Sequence, residues 1–289
     1  MLKRMSPSVR AIACAVLFSA AAWRFCSAQT AANGKQLPKA APAVRPIAPS
    51  APDAKSAAPN PTVSGPIEKL VYSVEWRLIR AGTVTLEAWP AELKMRLESG
   101  GLVASLFKVD DLYEAHYDDT DWDQSPYCAT SMRLESMEGK RHHEAKVTYD
   151  RSANRAHYIE HDLATNETLR EATVDLPPCA SDALGGLARL RRLPVPMPGK
   201  AIEIPISDGR HSAMVKLEAQ EHEEIKVAAG TFKATRYEAF LLNGVIYPRK
   251  GRVWIWYTDD ARRLPVQIRL RTGFPVGTVT LELEKQEGP

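Results

Sequence analysis

Four histidines fall close together in the chain, His142, His143, His157 and His161, with His116, His211 and His222 elsewhere, and imidazole is a common ligand for zinc. Their spacing argues against a shared ion. Neighbours on an extended strand point to opposite faces, so His142 and His143 diverge, while His157 and His161 share a face but stand about 13 Å apart at about 3.3 Å per residue. A hairpin turning at Asp150–Asn154 allows His143 to pair across strands with His157 or His161, yet no third ligand converges on them. No metal site is predicted.

Carboxylates offer two further chemistries. Asp118, Asp119, Asp121 and Asp123 in the run YDDTDWDQ suggest a calcium loop, but a frame starting at Asp119 puts Gln124 where glycine is needed and Thr130 where a bidentate glutamate is needed. A solvated acidic turn is the better reading. Asp259 and Asp260 are paired carboxylates of the kind used for acid and base work, but adjacent residues on a strand diverge. They suit a turn instead, capping backbone amides beside Arg262 and Arg263, with Pro265 fixing the start of the next strand. The chain has no G-x-S-x-G elbow, phosphate-binding glycine loop, H-E-x-x-H or dinucleotide fingerprint. No catalytic residue and no cofactor is predicted.

Two of the four cysteines, Cys14 and Cys26, lie in an amino-terminal segment that reads as a signal peptide, with Lys3, Arg4 and Arg10 ahead of an apolar run from Ala11 to Trp23. Cleavage is expected after Ala28. A lipid-modified Cys26 is disfavoured by the bulky or charged Trp23, Arg24 and Phe25, and an uncleaved anchor is the other alternative. Export to the periplasm or extracellular space would leave only Cys128 and Cys179, which are expected to form a disulfide across a loop of about 50 residues; two buried free thiols are the alternative.

Removing residues 1–28 takes away four basic side chains and lowers the formal charge from +3 to −1. Residues 29–66, with ten Ala and eight Pro in 38 positions, cannot bury enough apolar surface to offset chain entropy and read as a disordered linker. Their balance of +3 leaves −4 on residues 67–289. No nucleic-acid partner and no transmembrane segment after signal cleavage is implied.

Residues 67–289 read as a single β-rich domain, with period-two alternation in successive segments from Leu70–Ile79 to Val276–Leu283. Turn signals sit at Ala81-Gly82, Asp208-Gly209 and Asn243-Gly244. One helix is expected from an N-cap at Ser181 or Asp182, carrying Leu184, Leu187 and Leu190 toward Arg191 and Arg192, although Gly185 and Gly186 weaken it. A second helical turn near Leu102–Phe107 competes with a strand. The strand Val253–Tyr257 has no polar face, and Leu70, Tyr72, Val74, Trp76 and Leu78 make a wide apolar face on the first strand. If these faces line a hollow rather than a filled core, Tyr72, Trp76, Trp254 and Trp256 are the candidate ligand-binding residues.

The pattern Val227-Ala-Ala-Gly230-Thr-Phe232, the run Trp256-Tyr-Thr-Asp259-Asp260-Ala-Arg262-Arg263-Leu-Pro265-Val266, the late Gly277-Thr-Val-Thr-Leu281 and the opening Leu70-Val-Tyr72 with Ala81-Gly82 resemble the bacterial domain of unknown function 3108 family. The resemblance spans roughly residues 67 to 284 and implies an exported, β-rich envelope protein. It also implies a curved sheet similar to the half-open barrels of lipoprotein carriers, and it attaches no catalytic residue. The expected fold is therefore mainly β, a curved antiparallel sheet or half-open barrel with one or two short helices. The expected role is a non-catalytic binding or carrier module for a lipid or other apolar or amphipathic small molecule. A structural or assembly factor for envelope proteins is the alternative, and an unrecognised hydrolase the third.

Overall fold

The computed structural model describes residues 65–118, 126–273 and 276–288. The expectations for residues 1–64 and for Asp119, Asp121 and Asp123 lie outside these residues.

Alternating sequence becomes one antiparallel sheet of 14 strands. The first half of the chain supplies β1 (Glu68–Trp76), β2 (Ile79–Trp89), β3 (Glu92–Ser99), a short helix α1 (Gly101–Leu106), β4 (Val109–Tyr117), β5 (Ala129–Glu138), β6 (Arg141–Asp150), β7 (Arg155–Asp162) and β8 (Thr168–Asp175). Helix α2 (Ala183–Arg192) follows, and then β9 (Ala201–Ser207), β10 (Ser212–Val227), β11 (Gly230–Ala239), β12 (Gly251–Thr258), β13 (Pro265–Thr272) and β14 (Thr278–Glu287). The spatial order is β8-β7-β6-β5-β4-β3-β2-β1-β14-β13-β12-β11-β10-β9. Pairing of β1 with β14 puts both ends of the domain in the middle of the sheet, and its two edges, β8 and β9, are consecutive in sequence.

The sheet is open but strongly curved, as expected, and side chains rather than a ladder draw its halves together. Tyr149 on β6 donates its hydroxyl to the Ser207 carbonyl at the end of β9, at 3.0 Å. The turn between β9 and β10 brings Gly209 against Val147, at a backbone φ of +83°. The segment joining the two edges carries α2 over the concave face. Its start is pinned twice: by the disulfide Cys128–Cys179, with Cα atoms 4.5 Å apart, and by Ser181, which bonds to Pro205 and Ser207 and so covers the free side of β9.

Three local readings need correction. Ala81-Gly82 is not a turn: the chain reverses at Arg77 and Leu78, which adopt positive φ, and Gly82 lies within β2 where a Cβ would collide with the Glu98 carbonyl of β3. Glycine is there for close approach of two backbones. The segments Ala213–Ala219 and Glu224–Val227 form a single strand, β10, carried through the polar run by a bulge between Ala219 and His222. His143 pairs with Asp162 rather than with His157 or His161, because the β6–β7 register sets His157 opposite Thr148 and His161 opposite Glu144.

Candidate functional site

Helix α2 begins at Asp182, whose carboxylate accepts from the amides of Leu184 at 2.8 Å and Gly185 at 3.2 Å. The same buried side chain accepts the hydroxyls of Tyr117 at 2.8 Å and Tyr113 at 3.1 Å from β4. Burial pushes its pKa up, while the hydrogen bonds from Tyr117, the two amides and Tyr113 oppose that shift. The cap therefore also fastens the helix to the sheet. At the other end, Arg191 makes a bidentate pair with Glu68 of β1 at 2.5 and 3.0 Å, and Tyr257 donates to the Leu187 carbonyl at 2.7 Å.

Held at both ends, α2 presents Leu184, Leu187 and Leu190 to the concave face and encloses a cavity of about 180 Å³. Ile204, Ile255, Leu270, Leu281, Leu134 and Met132 are among the sheet residues that wall it. Only two of its lining residues are charged, Asp208 and Arg210. They pair at 3.0 Å, and the Arg210 guanidinium lies 5.1 Å from the Tyr158 ring centroid. Burial raises the Asp208 pKa, but the His211 hydrogen bond and the Arg210 charge outweigh it and leave the carboxylate below its ordinary value.

None of the four aromatic candidates is among the residues lining this cavity. Tyr72 shares the concave face, being opposite Val84, but is fully buried with its hydroxyl given to the Pro265 carbonyl at 2.7 Å. Trp76 donates its indole N–H to Val276 at 2.7 Å. Trp254 and Trp256 occupy the other face of β12, opposite Arg269 and Gln267, with the guanidiniums of Arg252 and Arg269 at 4.7 and 5.2 Å from their rings. Val253 and Ile255 of that strand meet the cavity instead. Composition alone could not choose between two apolar faces.

The register places a second feature beside the cavity. Met95, Tyr113, Leu134 and Ala145 form one cross-strand row of its wall, ending on β7 at Glu160. The next row on that face, two residues along each strand and about 6.6 Å away, runs Leu97, Asp111, Ser136, His143, Asp162. Asp111 is fully buried and Ser136 is 4% exposed. Asp111 Oδ1 accepts the Met137 amide at 3.0 Å, and a hydrogen bond from Ser136, the residue opposite, joins that amide in opposing the upward pull of burial on the carboxyl's pKa. A polar side chain inside the apolar alternation of VDDLYEAHY was the signal available in the sequence.

Serine opposite histidine suggests a nucleophile, but the geometry does not assemble one. His143 turns both ring nitrogens toward β7 carboxylates, Nδ1 lying 3.4 Å from Glu160 and Nε2 3.7 Å from Asp162, and makes no hydrogen bond to Ser136. Among the described residues no group of three or more His, Cys, Asp or Glu is placed to hold a metal ion, and no helix is long and apolar enough to cross a membrane. Asp259 and Asp260 serve locally, Asp259 accepting from Thr235 and Asp260 from Thr258 and Arg262.

No curated protein matches the chain. Among solved structures it is similar to a β-barrel-like protein of domain of unknown function DUF1849 from Brucella abortus, with 9% identity and TM-score 0.48 over 78% of this chain and 98% of that one. It is also similar to a protein from Bacteroides fragilis described as exported with a YmcC-like fold, at 8% identity and TM-score 0.28 over 77% and 96% of the two chains. A protein from Parabacteroides distasonis described as a lipoprotein matches at 10% identity and TM-score 0.27 over 77% and 97%. The model of the family of proteins of unknown function DUF3108 matches residues 71–284, and the chain belongs to that family.

Proposed function

We propose that this is an exported carrier or binding protein that holds the apolar part of a small amphipathic molecule between α2 and the concave face of the sheet. The cavity of about 180 Å³ carries this reading. Protein interiors are close-packed, and an apolar hollow of about 150 Å³ is enough to take up benzene. A benzene-sized group or a medium-length alkyl chain therefore fits. Export is supported by the targeting pattern of residues 1–28 and by the Cys128–Cys179 disulfide, a bond that persists in oxidising compartments.

Burying a methylene contributes about 0.8 kcal/mol, so an eight-carbon chain supplies roughly 6 kcal/mol before an association cost of at least about 4 kcal/mol. Alkyl burial alone then gives weak binding. Calorimetric titration of the purified protein with 1-octanol tests the reading: one saturable site with a negative heat-capacity change is expected, and Ala145→Phe, which fills the hollow, should abolish it. A wild-type protein that gives no saturable heat overturns it. The assembly role is the second reading, favoured by β8, an edge strand with a neighbour on one side only.

A further inference from the structure

We propose that the end of the sheet away from α2 is a docking face for an anionic phospholipid bilayer, its exposed apolar side chains entering the headgroup layer and its lysines and arginines meeting the lipid phosphates. The docking face stands on observations independent of the cavity, and it adds a partner to the carrier reading.

Connections in an antiparallel meander alternate between the two ends of the sheet. Helix α2 is fastened toward one end, where Tyr117 closes β4 and Glu68 opens β1. The opposite end carries α1 and the β1–β2, β5–β6, β7–β8, β9–β10, β11–β12 and β13–β14 connections. Every exposed large apolar side chain among the described residues, apart from Val195 and Met197, lies at this opposite end. Leu78 is 93% exposed. It and Arg77 form the two-residue β1–β2 turn at φ of +67° and +50°, a conformation that Asn and Gly adopt with less strain. Next to that turn, α1 buries Val103 and leaves Leu102 and Leu106, one helical turn apart, exposed beside Lys108. The cavity reaches the same end, since Asp208 and Arg210 of the β9–β10 turn and Leu241 and Tyr247 of the β11–β12 loop belong to its wall.

Charge selects the partner. The connections at this end carry Arg77, Lys108, Lys140, Arg210, Arg249 and Lys250 against Glu167 and Asp208, a balance of +4 on a domain whose residues 67–289 sum to −4. Asp208 and Arg210 pair with each other at 3.0 Å, so the excess lies on the other five cations. Adding the two terminal residues of each strand at this end brings four arginines and six carboxylates and leaves +2, whereas the same band at the other end, α2 included, sums to −2. Three of those six carboxylates, Glu98, Asp110 and Glu238, are already paired with Arg96 or Arg252. Protein interfaces are depleted in lysine. Long basic side chains set among exposed leucines suit an anionic lipid surface, with the stems along the acyl boundary and the charges at the phosphates.

Cosedimentation of the purified protein with vesicles tests the proposal. Vesicles of phosphatidylcholine mixed with phosphatidylglycerol should bind it, and vesicles of phosphatidylcholine alone about tenfold more weakly or less, since each basic residue near an anionic surface strengthens binding by about fivefold. Lys108→Glu with Lys250→Glu should remove that preference. Leu102→Ser with Leu106→Ser should weaken binding to both kinds of vesicle, by about tenfold. Val195→Ser with Met197→Ser, outside the face, should leave binding unchanged. All six side chains are exposed, and an unaltered unfolding midpoint shows that each variant keeps its fold. Failure of the wild type to bind the mixed vesicles, binding untouched by the lysine and leucine changes, or an equal loss in the Val195 and Met197 variant overturns the docking face. A wild type that dimerises through Leu102 and Leu106 without binding vesicles also overturns it and assigns the patch to a second copy. Calorimetry with 1-octanol keeps the two readings apart: a protein that binds the mixed vesicles but not 1-octanol overturns the carrier reading alone.

Discussion

The Asp182 carboxylate accepts the Tyr117 hydroxyl at 2.8 Å across 65 residues of chain, joining the first turn of α2 to β4 of the sheet. One side chain thereby caps the helix, satisfies two buried tyrosines and fixes the roof of the cavity. Replacing it with alanine removes a carboxylate and leaves hydroxyl and amide groups buried without partners. Asp182→Ala should cost about 3–5 kcal/mol in denaturant unfolding, well beyond the roughly 1 kcal/mol of an ordinary cap.

Gly185 separates helix propensity from packing. Propensity alone makes Gly185→Ala stabilising by about 1 kcal/mol. A Cβ at that position, however, would stand 2.7 Å from Cε1 of the Tyr117 ring, whose hydroxyl is already held by Asp182. Net destabilisation of about 1–3 kcal/mol is expected, read as a lowered unfolding midpoint.

Much of this was legible in the sequence, and the failures have definite causes. The N-cap at Asp182, the leucine stripe of α2 and the alternation of the strands follow from local rules, and local structure obeyed them. Gly82 reads like half of a turn because glycine permits both a reversal and a close contact; only the register with β3 distinguishes them. Both faces of Val253–Tyr257 are apolar, so which face meets the cavity depends on where α2 lies, a relationship set by residues 65 positions or more away. The row Asp111, Ser136, His143 is assembled from three strands and exists in no single segment.

The Cys128–Cys179 bond closes 51 residues of chain at the start of the α2 segment. Reduction, or Cys179→Ala with Cys128→Ala, should lower stability by about 4 kcal/mol on the chain-entropy estimate. Thiol labelling of the denatured, unreduced protein should leave the peptides that contain Cys128 and Cys179 unmodified; label on both would contradict the bridge.

Asp111 also predicts a pH dependence. Its folded-state pKa of about 7 lies above the ordinary carboxylate value, so its contribution to stability is present below about pH 4 and is lost as pH rises through 7. The difference is about 4 kcal/mol at three pH units. Unfolding curves for wild type and Asp111→Asn should therefore diverge between pH 4 and pH 8, the variant gaining relative to wild type as pH rises. Parallel curves would place the carboxyl in a wetter setting than its burial implies.

Anomalous diffraction from crystals of the protein grown with 8-bromo-1-octanol would show directly whether an alkyl chain lies between α2 and the sheet. One bromine peak is expected inside the cavity, between Leu187 of α2 and Ile255 of β12. A bromine site on the opposite face of β12 beside Trp254 and Trp256, or no ordered bromine at all, would contradict it.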